Sequence, residues 1–484
     1  MTARCVMVLG TSSGAGKSWL ATALCRWYAR QGLRVAPFKA QNMSNNARVV
    51  AAADGALGEI GCAQYFQALA ARAAPEVRMN PVLLKPERDD HSQLVLLGQV
   101  HPQLTALPWR QRAPLLWPPV RDALDALRAE NDVVVIEGAG SPAEINLQDS
   151  DIVNLRVAAH ARAACLLVTD IDRGGAFAHL YGTWALLAPE HRALLRGFVL
   201  NRFRGDPALL EPGPAQLEGL TGVPTVATLP MVWQHGLPEE DGVFDDRAAA
   251  AGEVRLRIAV IAWPRISNLD EFQPLKNIPG VRLRWVRTPA ELADADWVVL
   301  PGSKNTVADL QWLRAQGLAR AIVDHANAGR PVLGICGGLQ VLGEALVDPA
   351  DIAGNAPGLG LLPLVTQFAE SKTVRRTGVR FEALAGPWSA LSGLQVQGYE
   401  IHTGQTAQHA GMAPGRIALP HGLGWTNEQG NVLGIYLHGL FEDAGVLQAL
   451  FGAAAPTLDS VFDRLADVIE SHFATGALAG LIAC

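Results

Sequence analysis

The sequence predicts an α/β protein whose first domain is a P-loop-bearing, doubly wound parallel sheet and whose second is another α/β unit. Three observations carry this. Short apolar runs rich in β-branched residues alternate with stretches of helical length from the N-terminus onward, as in sheets covered by helices on both faces. A glycine-rich loop ending in Gly-Lys-Ser separates the first run from the first helical stretch. At 484 residues the chain exceeds one ordinary core, and the alternation dissolves once, around Leu237–Glu253, before resuming.

In chain order, Cys5–Leu9, Leu33–Phe38, Asp132–Ile136, Cys165–Thr169, Gly197–Asn201 and Pro224–Leu229 read as buried strands. Most end in Gly, Asp or Asn, where a parallel sheet presents its functional loops. Ser18–Arg30 and Ala176–Leu187 have helical length and composition. After the linker, Leu256–Ala262, Val281–Val286, Trp297–Leu300 and Pro331–Ile335 open a second series, with Leu394–Ile401 and Val432–Leu437 as later strands. Thr457–Thr475 reads as an amphipathic helix. The expected organisation is residues 1–245, then 254–446, then a helical segment, 447–484, packed on the second domain.

Composition narrows the function. Net charge is −6, too mild and of the wrong sign for a nucleic-acid footprint. Among the six cysteines none stand in C-x-x-C spacing, which favours reduced thiols over a disulfide framework or structural zinc. No leader pattern or spanning apolar stretch is seen, so a cytoplasmic protein is expected.

Gly10-Thr11-Ser12-Ser13-Gly14-Ala15-Gly16-Lys17-Ser18 sits where strand passes into helix. Such a loop curls backbone N–H groups around phosphate oxygens; Lys17 neutralises charge, and the Ser18 hydroxyl suits magnesium. Its first glycine lies one residue earlier than in the usual P-loop. Glu137, closing a strand, is a second magnesium candidate. Lys39, at the end of the second strand, is placed to reach a transferred phosphoryl group, and Asn201 to read the adenine edge. The expected cofactors are therefore ATP and Mg2+.

Pro331-Val-Leu-Gly-Ile-Cys336-Gly337-Gly-Leu-Gln340 reads as strand, cysteine elbow, helix. A tight turn exposes the sulfur, the helix N-terminus favours thiolate, and the Gly337 N–H serves as an oxyanion donor. Gly302 is the candidate second donor. His438, after an apolar strand and before glycine, is the preferred base, with His402 as runner-up.

These pieces resemble a class I glutamine amidotransferase domain behind a dethiobiotin-synthetase-like ATPase. Within that group the chain is similar to the cobyric acid synthases of the cobalamin pathway. The resemblance rests on Gly10–Ser18, Phe38–Met43, Asn80–Pro86, Glu137–Leu147, Asp170–Gly175, Asn201–Asp206, Trp263–Asn268, Pro301–Thr306, the Cys336 elbow, Val396–His402 and the His438 motif. It implies amidation of adenosylcobyrinic acid a,c-diamide at its b, d, e and g carboxylates with glutamine and ATP. It also implies Cys336 as nucleophile and His438 as base.

The position two residues after His438, often Glu in class I amidotransferases, is Leu440 here. The resemblance therefore implies a Cys–His pair, with Glu400 or Glu442 as possible substitutes for a third member. Asp151, Asp172 and Arg173 are candidate substrate contacts. Asp89-Asp-His91 is followed by Leu94 rather than completing a D-x-H-x-x-G cobalamin motif, so the corrin is expected as substrate and not as a held cofactor. The competing readings are a cobyrinic acid a,c-diamide synthase and, from another class, a partitioning-type ATPase switch; no signature lysine lies in Thr11–Ala15 to support the latter.

Overall fold

A computed structural model describes residues 2–52, 55–88, 91–233, 235–238, 253–349, 354–408, 411, 415–452 and 456–483. Most of the expected linker, the boundary at 245, Asp89, Asp90 and Cys484 thus lie outside the described residues.

The first domain runs β1 (Arg4–Gly10), helix α1 (Lys17–Arg30), β2 (Val35–Phe38), the hairpin β3 (Ala47–Ala51) and β4 (Leu57–Gly61), α2 (Cys62–Ala70), α3 (Trp109–Glu130), β5 (Val133–Glu137), β6 (Ala164–Asp170), β7 (Leu195–Phe203) and β8 (Thr225–Pro230). All six expected strands are present and join one parallel sheet in the order β8-β7-β6-β1-β5-β2. Alternation along β1 feeds two cores. Val6 and Val8 pack with Leu20, Leu24 and Phe66 of α1 and α2, whereas Met7 and Leu9 pack with Leu116, Val120 and Leu124 of α3. The phosphate loop leaves β1 between β5 and β6, so the ends of three adjacent strands converge on it.

The second domain contains β9 (Leu256–Ile261), β10 (Val281–Val286), β11 (Trp297–Leu300), β12 (Val332–Ile335), α4 (Gly337–Leu342), β13 (Leu364–Arg380), β14 (Gln395–Gln408), β15 (Arg416–Leu419), β16 (Gly424–Thr426) and β17 (Val432–Ile435). Its main sheet runs β10-β9-β11-β12-β17-β16-β15, parallel through β17 and antiparallel beyond it. The long antiparallel ribbon β13–β14 lies outside that sheet and meets the β3–β4 hairpin of the first domain. There Ala47, Val49, Leu83 and Val95 share a small apolar cluster with Tyr399 and Ile401.

The C-terminal segment divides. Helix α5 (Ala444–Phe451) packs on the second domain through Val446 and Leu447. Helices α6 (Leu458–His472) and α7 (Ala477–Ala483) instead cover the first domain, contrary to the expectation that the whole segment packs on the second. The reason is chemical fit. Val461, Phe462, Leu465 and Ile469 complete the apolar layer over α1. Buried Arg26 pairs with Asp459 and Asp463, and the Tyr28 hydroxyl donates to the Leu478 carbonyl at 2.9 Å.

Candidate active sites

In the phosphate loop, Gly16 caps α1 with φ 102°, a conformation that favours glycine. A Cβ there would also lie 2.0 Å from Asn201 Nδ2. That Asn201 amide donates to the Ala15 carbonyl at 3.0 Å, so it braces the loop rather than standing free for a base edge. Thr11 Oγ1 donates to Thr169 Oγ1 at 3.0 Å. Lys17 Nζ curls back onto the Ser12 and Gly140 carbonyls at 3.0 and 3.1 Å, which places its charge over the loop. Beyond Asn201, Phe203, Thr228, Met231, Trp233 and His472 help line an open cavity of about 810 Å3.

Glu137 is buried at the end of β5. Its Oε1 accepts from Ser18 Oγ and from Lys39 Nζ, each at 2.8 Å, and its Oε2 accepts from Gln67 Nε2 at 2.5 Å. Burial pushes its carboxyl up, but the Lys39 charge and these hydrogen bonds outweigh burial and hold it below the ordinary value. Ser18 and an ionised Glu137 therefore meet at the helix N-terminus as hard oxygen donors suited to magnesium. Lys39, expected to reach a phosphoryl group directly, is tied to Glu137 instead.

The candidate substrate residues scatter. Asp151 is a helix cap: its oxygens accept from the N–H groups of Val153, Asn154 and Leu155 at 2.7–2.9 Å, which corrects its reading as a substrate contact. Asp172 pairs with Arg204. Arg173 is two-thirds exposed, pairs with Asp170 at 3.3 Å and leans over the phosphate loop, its Nη2 within 3.6 Å of where a Gly14 Cβ would sit.

In the second domain, β12 delivers Cys336 into a turn with φ 52°, strained for a residue with a side chain. The glycines around it are packing requirements. A Cβ on Gly338 would sit 1.9 Å from the Leu300 carbonyl oxygen, and one on Gly337 would sit 2.8 Å from the Ser303 backbone nitrogen. The Gly302–Ser303 turn therefore presses on the elbow from one side. A Gly302 Cβ would meet His438 Cε1 at 3.0 Å, which puts the same turn against the base.

His438 is locked from three directions. Its backbone N–H donates to the Tyr399 carbonyl at 2.9 Å, and the Tyr399 ring stacks on the imidazole with centroids 5.3 Å apart. Its Nδ1 lies 3.1 Å from Glu271 Oε1, while Glu271 Oε2 accepts from the Gly439 N–H at 3.1 Å. Both side chains are buried. Burial pushes the imidazole down, but Glu271 and the neighbouring Cys336 thiol outweigh it and raise it to about 10. Nε2 has no hydrogen-bond partner among the described residues.

Glu271 thus occupies the third position, which corrects the expected Cys–His pair and both suggested substitutes. Glu400 is engaged by Arg375, Thr377 and His402, and Glu442 by Arg48. His402 stacks on Tyr436 and bonds to Glu400 and the Gly404 carbonyl, so both of its ring nitrogens are engaged in bracing the ribbon. Glu271 lies 167 positions from His438, so no local spacing links them. The one available signal was its place three residues after the Trp263–Asn268 motif.

Over its full length the chain is 72 % identical to the cobyric acid synthase of Variovorax paradoxus (strain S110), with both chains covered completely. The chain belongs to the cobyric acid synthase family. It is also 70 % identical to the cobyric acid synthase of Polaromonas naphthalenivorans (strain CJ2), both fully covered, and 69 % identical to that of Acidovorax ebreus (strain TPSY), with 99 % of each covered. Residues 6–240 match the CobQ/CobB/MinD/ParA nucleotide binding domain, and residues 257–446 the CobB/CobQ-like glutamine amidotransferase domain. The phosphate loop falls in the first match and Cys336, His438 and Glu271 fall in the second. Family membership makes the chain a glutamine-dependent amide ligase. No helix among the described residues is long and apolar enough to cross a membrane.

Proposed function

We propose that the chain amidates the b, d, e and g carboxylates of adenosylcobyrinic acid a,c-diamide, using glutamine and ATP, to give adenosylcobyric acid. The observation that carries this is the union, in one chain similar throughout to cobyric acid synthases, of a braced phosphate loop with a Cys336–His438–Glu271 constellation.

In the second domain the Cys336 thiolate attacks the glutamine amide carbon. Backbone N–H groups at Gly337 and Gly302 hold the oxyanion, and His438 Nε2 delivers a proton to departing ammonia, leaving a glutamyl thioester. Water, giving its proton to the same Nε2, then hydrolyses the thioester to glutamate and frees the thiolate. Glu271 keeps Nδ1 protonated, so Nε2 is the nitrogen that exchanges the proton. In the first domain a substrate carboxylate attacks the γ-phosphoryl group of ATP and expels ADP, forming an acyl phosphate. Ammonia then attacks the acyl carbon, expels inorganic phosphate and loses a proton to give the amide. The N–H groups from Thr11 to Gly16, with Lys17, cradle the phosphates. Ser18 and Glu137 would hold magnesium, which supplies neutralisation of phosphate charge when bound. Arg173, exposed beside the loop, offers a planar fork to a corrin carboxylate.

Mass spectrometry of adenosylcobyrinic acid a,c-diamide incubated with enzyme, ATP, magnesium and a nitrogen source tests this reading. Four successive OH-to-NH2 replacements are expected with glutamine. Cys336→Ala is expected to give them only with ammonia, and Lys17→Ala with neither source. An unchanged corrin, with glutamine and ATP still consumed on another carboxylate, would discard the substrate assignment.

A further inference from the structure

The first domain reaches into the glutaminase site. Arg48, the second residue of β3, has a side chain only 3 % exposed. Its guanidinium lies over the Tyr65 and Phe66 rings of its own domain, at 5.4 and 5.0 Å, yet both of its carboxylate partners belong to the second domain. Its guanidinium pairs with Asp270, the residue before Glu271. Nη1 and Nη2 also donate to Glu442 Oε2 and Oε1 at 2.9 and 2.6 Å, four residues beyond His438. Its Cζ lies 5.1 Å from the centroid of Tyr399, the ring stacked on His438. One guanidinium thus touches the chain on either side of the Glu271–His438 contact and the ring that supports it.

Neighbouring bonds reinforce the grip. Asn46 Oδ1 accepts from the Leu269 N–H at 3.0 Å, and Asn268 Nδ2 donates to the Ala47 carbonyl at 2.8 Å and to Tyr399 Oη at 2.7 Å. Leu269–Phe272 is a 3-10 turn capped by Asn268 and followed directly by the single helical turn Gln273–Lys276, so Asp270 and Glu271 sit on a short element at the domain boundary. Three carboxylates, Asp270, Glu271 and Glu442, crowd this corner, and a bidentate arginine fork is suited to fixing two of them at defined positions.

We propose that Arg48 is a positioning residue for glutamine hydrolysis: the synthetase domain supplies the cation that sets the Glu271–His438 pair of the amidotransferase domain. The other end of the same hairpin supplies a reason for the arrangement. β4 runs directly into α2, whose Gln67 bonds Glu137 beside Ser18. A single stretch of chain therefore seats against both sites, so the glutaminase is complete only when the synthetase domain is docked. The inference rests on the proposed roles of Cys336, His438 and Glu271.

The test compares full-length Arg48→Met and Arg48→Lys with the parent chain. Glutamate release, ammonia-dependent ATP turnover with the corrin substrate and thermal unfolding are read for each. Arg48→Met is expected to lower kcat for glutamine about 100-fold, the scale of a ~1 Å misplacement of a catalytic group. Glutamine KM and ammonia-dependent turnover are expected to stay near the parent values. Arg48→Lys keeps the buried charge and loses the fork, so it is expected to fold like the parent and recover part of kcat. An unchanged glutaminase kcat in Arg48→Met, or ammonia-dependent turnover falling in parallel with it, would overturn the proposal. Should Arg48→Met prove insoluble, Arg48→Lys decides alone: full parental kcat counts against it and a kcat-only loss supports it. Absence of ammonia-dependent turnover in the parent would instead remove the substrate assignment and leave the Arg48 comparison on glutamate release intact.

Discussion

At His438 three neighbours decide what one ring can do: Glu271 on Nδ1, the Tyr399 face against the imidazole, and Cys336, whose thiol helps to hold the proton on the ring. Replacing Glu271 with Gln keeps the shape and removes the charge. Glutaminase kcat is expected to fall about 10²- to 10⁴-fold, the usual worth of an oriented acid–base group, with ammonia-dependent amidation retained; paired steady-state assays check this. The raised value at His438 also bears on stability. Burial works against it, yet Glu271 and Cys336 carry it from 6.5 to about 10. A group with a raised folded-state value contributes stability fully below its unfolded value and loses it as pH rises through the folded one. The thermal stability gap between the parent and His438→Gln is therefore expected to narrow as pH climbs from 6.5 toward about 10. A gap that widens over that window would contradict the assignment. Asp151 teaches the reverse lesson, since an acidic residue beside a motif proves to be a helix cap.

At the scale of elements, the elbow β12–Cys336–α4 and the ribbon β13–β14 do the placing. The elbow works because α4 approaches β11 closely enough that Gly338 has no room for a methyl group against the Leu300 carbonyl. Gly338→Ala is expected to destabilise the second domain by about 1–3 kcal/mol, as overpacking does, and to displace the Cys336 sulfur. Denaturant unfolding and thiol alkylation rates report the two effects. The ribbon carries Tyr399 to His438 and is pinned by Glu400. Burial opposes that carboxylate's charge, but His402, Arg375 and Thr377 hold it down at about 2. A depressed carboxylate contributes stability above its unfolded value of 4.5 and loses it as pH falls through the folded one. The thermal stability difference between the parent and Glu400→Gln is thus expected to be full near neutrality and to shrink below pH 4.5.

For the whole molecule, the C-terminus returns across the second domain to finish the first. Phe462 is buried against the α1 layer, with Arg26 over its ring at 5.6 Å. Phe462→Ala is expected to cost about 3–5 kcal/mol, read as a lowered urea midpoint for the synthetase domain. If the amidotransferase domain alone responded, the observed packing would be wrong. The antiparallel edge strands β15 and β16 were not legible in the sequence, whereas the six strands of the first sheet, the five parallel strands of the second, the phosphate loop, the cysteine elbow and His438 were. Each is local: apolar periodicity, or glycines within a few residues of the reactive group, carries the signal. Glu271, Arg48 and the seat of α6 were not legible, because nothing near them in sequence specifies a partner 167, 222 or 433 residues away. By itself the sequence determined which chemistries the chain contains and which short segments bear them. Only the tertiary structure decided which carboxylate completes the base, which domain supplies its counter-charge and which core the last helices close. Buried charges must find partners where the packed chain leaves them, and that pairing is set by three-dimensional proximity rather than by distance along the chain.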